Sequence, residues 1–322
     1  MSCDYMNDNL VFAADLGGTN MRVALVDQSG KIHHRLKQPT PHGESPQVVI
    51  DALKNALAQC DSVSQRQTVA ASIMVPGTVD RANERVIQAP NLPSLNDFPL
   101  KQALEKQFNF PAVLENDANA AAVGEHWMGA ARGSDTVVCV TLGTGVGGGI
   151  ILDGKLWRGA HGSAGEIGHT TVEPFGGRQC KCGNTGCLEL FASATGLVRM
   201  TREELAVSQS LLLQVEELTA AKVYDAGVAG DEVALRVFAR LGNYLGAGLA
   251  NLINLIDPDV IVIGGGVANG WKLFEAQMHE QVNARTFKAT TSLVKIVPAE
   301  CGDDAGLLGA ARLGFNKVLS HC

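Results

Sequence analysis

The feature that most constrains this chain is a pattern of apolar run, glycine-threonine turn and second apolar run that occurs twice. The first copy joins residues 10–14 to 21–26 through the letters DLGGTN, and the second joins 136–142 to 150–152 through GTGVGGG. Short apolar runs separated by glycine turns are typical of paired β-strands. The two turns lie about 126 residues apart, too far for a solenoid repeat. The pattern therefore predicts two related α/β lobes.

Hydrophobic spacing predicts further elements between and after the two copies. We expect helices over residues 47–58, 100–108, 119–131 and 234–256, and strands over 69–75, 112–115 and 260–266. Asp303 and Asp304 precede an apolar stretch, which predicts a last helix with an acidic cap. We expect residues 1–120 with 303–322 to form a small N-terminal lobe closed by this helix. Residues 121–302 would form a larger lobe with the cysteine motif and the nucleotide site.

Charge and composition exclude several classes of protein. The chain has 322 residues, a net charge of −7 and a pI near 5.6, and it shows no basic stripe for nucleic acid. The N-terminal letters MSCDYMNDNL do not form a signal peptide, and no apolar run is long enough for a transmembrane helix. The eight cysteines, from Cys3 to Cys322, are mostly scattered. We therefore expect a reduced, cytoplasmic protein that binds neither nucleic acid nor a membrane.

Three glycine turns, each after an apolar run, indicate a nucleotide site. Backbone N–H groups in such turns can bind phosphate oxygens, and neighbouring threonine hydroxyls add donors. The letters do not match a P-loop, and GTGVGG precedes a strand rather than a helix, which disfavours a dinucleotide site. The candidate nucleotide-binding residues are Asp15, Gly17, Gly18, Thr19, Asn20, Gly143, Thr144, Gly145, Gly264, Gly265 and Gly266.

Two acidic positions in these segments have both a structural and a functional interpretation. Asp15 can bond the backbone of its own turn, or it can act as an outer-sphere partner of a phosphate-bound Mg²⁺. In the letters LENDANAAA, Asn116 or Asp117 can cap the alanine-rich helix. Alternatively, Asp117 can act as a general base toward a substrate hydroxyl, because a strand-to-helix junction fixes its position. The motif alone leaves these alternatives open.

The segment from Glu166 to Glu189 has the spacing of a metal site. His169, Cys180, Cys182 and Cys187 can complete a tetrahedral Cys₃His shell around Zn²⁺ with no open position, which makes the metal structural rather than catalytic. Free buried thiols are the alternative, and a redox site is disfavoured because no Cys-x-x-Cys is present. The two flanking glutamates could accept hydrogen bonds from a polyol, or they could be surface charges.

Taken together, the motifs resemble those of the ROK family, which covers sugar kinases and related repressors. DLGGTN, ENDANAAA, GTGVGGG, GEIGH, CKCGNTGCLE and VIVIGGG occur in the order typical of that family, over residues 10–315. Within the family, the motifs are most similar to those of the glucokinase type. The resemblance implies an α/β, actin-like (ribonuclease H-like) ATPase fold with two lobes around a nucleotide and sugar cleft.

The resemblance also implies roles for individual residues. Asp117 matches the catalytic base, and the glycine turns match the sites for ATP with Mg²⁺. His169 would bind zinc through one ring nitrogen and the sugar through the other. The implied sugar-binding residues are Gly77, Asn91, Asn116, Asp117, Glu166, His169 and Glu189.

The implied activity is ATP-dependent phosphorylation of the 6-hydroxyl of glucose. N-acetylglucosamine, N-acetylmannosamine and fructose are alternative substrates, because kinases for these sugars share the motifs. A sugar-responsive repressor is the alternative outside the enzymes, but only 14 residues precede Asp15, too few for a three-helix DNA-binding unit. A homodimer is implied by the resemblance alone.

Overall fold

The computed structural model describes residues 8–80, 84–289 and 292–320. These residues divide into two compact units, which are described separately. The first unit comprises Met1–Gly133, Gly149–Ala164 and Glu300–Cys322, and the second comprises Ser134–Gly148 and Gly165–Ala299. The predicted boundaries between the lobes, at residues 120 and 302, differ from the limits of these units. The division into a small and a large lobe stays a prediction. Cys3 and Cys322 lie outside the described residues.

The elements alternate between strands and helices along much of the chain. The strands are β1 (Asn9–Leu16), β2 (Asn20–Asp27), β3 (Ile32–Pro39), β4 (Gln67–Val75), β5 (Thr78–Val79), β6 (Val86–Gln88), β7 (Ala112–Asn116), β8 (Val137–Leu142), β9 (Val146–Leu152), β10 (Lys155–Leu156), β11 (Val260–Gly264) and β12 (Lys295–Pro298). The helices are α1 (Gln47–Ser62), α2 (Leu100–Phe108), α3 (Asp117–Met128), α4 (Glu189–Ala192), α5 (Ala194–Leu205), α6 (Ala220–Val228), α7 (Glu232–Ile256), α8 (Trp271–Arg285) and α9 (Ala305–Leu319).

The first unit contains a five-stranded sheet in the order β3-β2-β1-β4-β7. β2 is antiparallel to both β1 and β3, whereas β1, β4 and β7 are parallel. At the carboxyl end of the parallel part, Asp15 is paired with Met74, and Val75 with Asn116. Parallel strands collect their carboxyl ends at one edge of a sheet, where α/β proteins bind ligands.

Apolar side chains cover both faces of this sheet. Along β1, Leu10 and Phe12 belong to one buried cluster, while Val11 and Ala13 belong to another that includes residues of α9. This alternation follows from the period of two in a strand. Helix α9 can approach α3 closely because Gly309 has no side chain; a Cβ there would overlap the Ala120 carbonyl. The packing fixes α3, and with it the end of β7, against the sheet.

The second unit is built around a sheet in which β11 lies between β8 and β12 and is parallel to both. β9, the neighbour of β8 in that sheet, begins in this unit at Val146, whereas its last residues and the strand β10 that pairs with them belong to the first unit. The long helix α7 supplies many residues of the core, among them Phe238, Leu245 and Leu249. Asp231 is the N-cap of this helix, and its carboxylate accepts a hydrogen bond from Ala234 N at 3.0 Å.

Most predicted elements are present, and the α/β class is confirmed. Helix α2 has the predicted limits, and α7 begins two residues before the predicted position. Helix α3 begins at Asp117 and ends at Met128, earlier than predicted at both ends. No helix in the described part of the chain is both long and apolar enough to cross a membrane.

Two details of the prediction are wrong. The second glycine turn is shorter than expected, because β9 already begins at Val146; Gly148 lies in the strand, where a Cβ would overlap Ile167. The acidic cap of the last helix is also wrong. Asp304 makes no side-chain hydrogen bond to the start of α9, and its carboxylate instead pairs with Arg35 at 2.6 Å.

Candidate functional site

Three predicted site residues form the junction between β7 and α3, and we call Glu115, Asn116 and Asp117 the corner. Asn116 is the N-cap of α3, and its side-chain oxygen accepts hydrogen bonds from Ala118 N at 2.9 Å and Asn119 N at 3.1 Å. Capping is therefore confirmed for Asn116. This cap leaves Asp117 as the first helical residue, with an exposed side chain.

Hydrogen bonds within the first unit orient the corner. The Asn116 amide donates to the Gly77 carbonyl at 3.0 Å, which connects the ends of β7 and β4. Gly77 has a φ of 155°, and a Cβ there would overlap the Gln88 carbonyl, so this position requires glycine. One carboxylate oxygen of Asp117 accepts from Ala118 N at 2.9 Å. The Asp117 carboxylate is thus accessible and held in a defined orientation.

A buried ion pair lies directly behind the corner. The Glu115 side chain is 3% exposed and accepts from Arg158 Nε at 2.7 Å, with a second Arg158 nitrogen at 2.6 Å. Its other oxygen accepts from Asn116 N at 3.1 Å and Asn119 Nδ2 at 3.0 Å. Both guanidinium nitrogens contact the same carboxylate oxygen, and hydrogen bonds to a charged group of this kind are stronger than neutral ones. The pair therefore fixes the residue that immediately precedes Asn116.

The first glycine turn lies at the carboxyl end of β1, in the same unit as the corner. Asp15 pairs with Arg22, whose Nε donates to the carboxylate at 3.0 Å. The Thr40 hydroxyl donates to the Gly17 carbonyl at 2.6 Å, and Thr40 N donates to the Thr19 carbonyl at 2.9 Å. The turn itself is thereby held to the end of β3.

Asn91, a predicted sugar contact, lies beside the first glycine turn. A Cβ at Gly18 would be 3.0 Å from Asn91 Nδ2. Asn91 is exposed and follows the short strand β6. The first unit thus brings two groups of predicted residues to one edge of its sheet: the nucleotide-type turn and the sugar-type residues.

The second and third glycine turns are neighbours within the second unit. Gly264 is paired with Thr141 near the ends of the parallel strands β11 and β8. Gly265 has a φ of 87°, and a Cβ there would lie 2.5 Å from the Leu142 carbonyl oxygen. Only glycine fits this approach. The loop Gly143–Gly145 follows Leu142 directly, so both predicted nucleotide turns occupy one edge of the sheet.

The Glu189 side chain lies against the second glycine turn. Its carboxylate accepts a hydrogen bond from Val146 N at 3.0 Å and occupies the space beside Gly145. The Thr195 hydroxyl donates to the Thr144 carbonyl at 2.8 Å. This predicted sugar contact and the predicted phosphate turn are therefore adjacent within the second unit, which the sequence did not indicate.

The predicted metal ligands converge, and we call His169, Cys180, Cys182 and Cys187 the cysteine cluster. One ligand atom from each residue lies within 4.8 Å of all the others. Cys180 Sγ is 3.8 Å from His169 Nδ1, and Cys182 Sγ is 3.7 Å from Cys187 Sγ. These sulfurs are too far apart for a disulfide, and none of the cysteines that the structure describes forms one.

The donor set and its dimensions fit a tetrahedral metal. With metal–sulfur bonds of about 2.3 Å, the edges of a tetrahedral shell are about 3.8 Å. The backbone N–H of Asn184 lowers the pKa of Cys182 and favours its thiolate, whereas burial and the neighbouring thiols raise the pKa of Cys187 to about 12. Without a cation, the cluster thus cannot readily ionise all its thiols.

His169 has its two ring nitrogens in different surroundings. Nδ1 faces Cys180, and Nε2 lies 4.0 Å from a carboxylate oxygen of Glu166. Glu166 is exposed, whereas Cys180 and Cys187 are buried. One nitrogen can therefore serve the cysteine cluster while the other points to the accessible carboxylate.

Sequence reasoning missed Arg158 and its pairing with Glu115. The two residues are 43 positions apart, and Arg158 lies in none of the motifs described above. The sequence signal was present but indirect, since Glu115 is a charged residue at the end of a buried strand and requires a partner.

Similarity to known proteins extends over most of the chain. The family model described as the ROK family matches residues 11–316. A glucokinase of Halalkalibacterium halodurans is 35% identical over 316 residues, which cover 96% of each chain. The xylose repressor of Bacillus subtilis is 29% identical over 98% of this chain and 76% of its own.

Solved structures show the same fold. The structure of a ROK family glucokinase from Streptomyces griseus, in complex with glucose and AMPPNP, is 35% identical and has a TM-score of 0.80. The match covers 95% of this chain and 99% of that one. The predicted actin-like ATPase fold is thereby confirmed.

Proposed function

Because the chain belongs to the ROK family, we propose that it is an ATP-dependent sugar kinase that phosphorylates the 6-hydroxyl of glucose. Proteins similar to this chain also include a xylose repressor, so similarity alone does not select the activity. The observation that carries the proposal is the corner, where an exposed carboxylate is oriented by its own helix and by a buried ion pair.

Asp117 is the proposed general base. It would accept the proton of the sugar hydroxyl as the oxygen attacks the terminal phosphorus of ATP and ADP leaves. Phosphoryl transfer depends on positioning and on stabilisation of charge, so one fixed carboxylate is the main chemical requirement on the protein. A substrate hydroxyl must come within hydrogen-bond distance of that carboxylate, and its exposure permits this.

In the first unit, Gly77, Asn91 and Asn116 are the proposed sugar contacts, since they lie with Asp117 at the carboxyl edge of the sheet. The proposed phosphate contacts of this unit are Gly17, Gly18, Thr19 and Asn20. Asp15 would support Mg²⁺ through water, and its ion pair with Arg22 holds the carboxylate in place. Bound Mg²⁺ would neutralise charge on the ATP phosphates.

In the second unit, Gly143–Gly145 and Gly264–Gly266 are the proposed contacts to ATP. The Streptomyces griseus relative was solved with AMPPNP, an ATP analogue, and with glucose, which supports both ligand classes. Glu166, His169 and Glu189 are the proposed sugar contacts of this unit. The cysteine cluster would hold a structural Zn²⁺, which leaves His169 Nε2 for the sugar. A homodimer remains a prediction.

The test is an assay of ADP release with MgATP and one sugar at a time. Glucose is expected to stimulate ADP release, and N-acetylglucosamine, N-acetylmannosamine and fructose show whether another hexose is preferred. Xylose is the matched control, because it has the ring hydroxyls of glucose but no 6-hydroxymethyl group. Xylose is expected to give no stimulation.

The outcomes separate the enzyme from the repressor class. Stimulation by glucose but not xylose supports transfer to the 6-hydroxyl. Equal stimulation by both sugars would contradict the assigned position. Saturable sugar binding by the zinc-loaded protein, without ADP release for any sugar, would overturn the kinase and favour a sugar-responsive regulator.

A further inference from the structure

The first unit contains a cavity that is lined by Arg158 but by none of the residues proposed to contact ATP or the sugar. Its volume is about 730 Å³, and the residues that line it come from α2, β7, α3, the β9–β10 hairpin and α9. Cavities of roughly 300–1,000 Å³ are of the size that binds small organic molecules. The sequence analysis assigned no function to any of its charged residues.

The charge of this cavity is opposite to that of the protein as a whole. Five of its lining residues are permanent cations and one is a histidine, whereas none of the described lining residues is acidic: Lys101, His126, Lys155, Arg158, Arg312 and Lys317. The whole chain has a net charge of −7. The local excess of cations is therefore a property of the cavity, and a concave site lined by one sign of charge attracts ions of the other sign.

The cations differ in how far the protein itself neutralises them. Arg158 is paired with Glu115, and Lys101 lies 3.7 Å from Glu84. Within the described part of the chain, neither Lys155 nor Arg312 forms an ion pair with a carboxylate. These two residues are thus the main candidates for binding an external anion.

Arg312 is also held in place. Its guanidinium lies 5.4 Å from the ring centroid of Trp127, another lining residue, and both side chains are half-buried. An arginine that stacks on an aromatic ring loses little freedom when it binds, and its planar fork matches a phosphate group. The adjoining walls are apolar and include Val123, Leu156 and Leu313. An inorganic ion alone would leave these walls without a partner.

We propose that this cavity binds a phosphorylated small organic molecule, with its phosphate on Arg312 and Lys155 and its organic part against Trp127 and the apolar wall. The proposal does not rest on the proposed kinase reaction, although the lining residue Arg158 also pairs with Glu115 of the corner. The site itself uses neither the corner nor the glycine turns.

The test measures binding at the cavity through Trp127. The other two tryptophans are replaced, as Trp157→Phe and Trp271→Phe, so that fluorescence reports this position. Ribose 5-phosphate is the probe, ribose is its uncharged match, and inorganic pyrophosphate tests the anion without an organic part. We expect a saturable change with ribose 5-phosphate at a Kd below about 1 mM, weaker binding of pyrophosphate, and no response to ribose.

Variants locate the anion. Arg312→Gln and Lys155→Gln are each expected to weaken binding of ribose 5-phosphate about tenfold, the effect of one charged contact. Lys155 is exposed at the first position of the two-residue strand β10, so its variant keeps the test valid if Arg312→Gln affects folding. Arg202→Gln removes an exposed charge of the second unit and is expected to leave binding unchanged.

Three results would overturn the site. The first is that ribose 5-phosphate gives no saturable response, and the second is that ribose gives an equal response. The third is that Lys155→Gln and a folded Arg312→Gln both bind ribose 5-phosphate with wild-type affinity. Tighter binding of pyrophosphate than of ribose 5-phosphate would overturn the assignment of an organic ligand. A kinase that proves inactive would leave all of these results unaffected.

Discussion

The corner and the cysteine cluster differ in what holds their polar groups in place. In the corner, Glu115 and Asn116 accept hydrogen bonds from the chain's own backbone, and Arg158 balances the buried charge. In the cysteine cluster, the ligand atoms face mainly one another, and thiols offer weak hydrogen bonds. The corner is therefore complete when the chain folds, whereas we propose that a cation completes the cysteine cluster. The following predictions test that difference.

The largest effect is expected for Asp117→Asn. Removal of a general base typically costs 10²–10⁴ in rate, so kcat should fall about 1,000-fold, equivalent to about 4 kcal/mol. Sugar affinity should change little, because asparagine keeps the size and hydrogen-bonding capacity of the side chain. Steady-state kinetics and equilibrium sugar titration measure the two quantities. Asp225→Asn, on the exposed face of α6, is the control, and near-normal kcat in Asp117→Asn would reject the base.

The next effect concerns the ion pair behind the corner. Arg158→Met leaves the Glu115 carboxylate buried without its cation, which should lower the free energy of unfolding by about 3 kcal/mol. Urea denaturation measures this loss, with Arg202→Met as the surface control. Arg158→Lys should recover part of the stability, since the charge returns without the two-nitrogen contact. Full stability of Arg158→Met would show that the pair does not brace the corner.

Metal removal should affect the cysteine cluster and leave the corner's own bonds intact. A metal at about 100 times its Kd contributes about 2.7 kcal/mol to stability. For a unit of this size, chelation or Cys182→Ser should therefore lower the thermal midpoint by about 8 °C. Metal analysis should find about one Zn²⁺ per chain in wild type and in the control Cys60→Ala. A midpoint insensitive to chelator would mean that the thiols need no cation.

The smallest effect is expected at Asp27, a carboxylate held by the chain's own groups like those of the corner. Burial raises its pKa, but hydrogen bonds from His33, Ser29 and Lys31 outweigh burial and lower the pKa from 3.8 to about 2. Stability from this group is present above pH 3.8 and is lost as the pH falls from about 4 to 2. Asp27→Asn should be less stable by about 2 kcal/mol at pH 6, with a difference that shrinks toward pH 2. A constant difference across that range would contradict the shifted pKa.

The sequence predicted the parts of the fold that local patterns specify. The first glycine turn, the limits of helix α2 and the convergence of the four residues of the cysteine cluster follow from spacing along short segments, whereas metal binding by that cluster stays a prediction. Strand β3 was not predicted, because its residues alternate only between half-buried and exposed positions. Helix α8 was also missed, since only Phe274, Met278 and Val282 of its 15 residues are buried. Weak amphipathic patterns give little signal.

Contacts between distant segments were the part of the site that could not be predicted. Asp304 resembles a helix cap in sequence, but Arg35 is near it in space and competes for the carboxylate. Glu125 looks like an exposed helical residue. It is fully buried and accepts hydrogen bonds from the backbone of Glu300 and Cys301. Such partners are set by tertiary structure, which one sequence does not reveal.

The most direct test of the central claim is ³¹P NMR of a reaction containing the zinc-loaded protein, MgATP and glucose. A complete corner that positions a sugar hydroxyl predicts equal formation of ADP and of one phosphomonoester, assigned to carbon 6 by its coupling to the two C6 protons. Formation of inorganic phosphate in place of the phosphomonoester would contradict sugar phosphorylation. A phosphomonoester resonance assigned to another carbon would contradict transfer to the 6-hydroxyl.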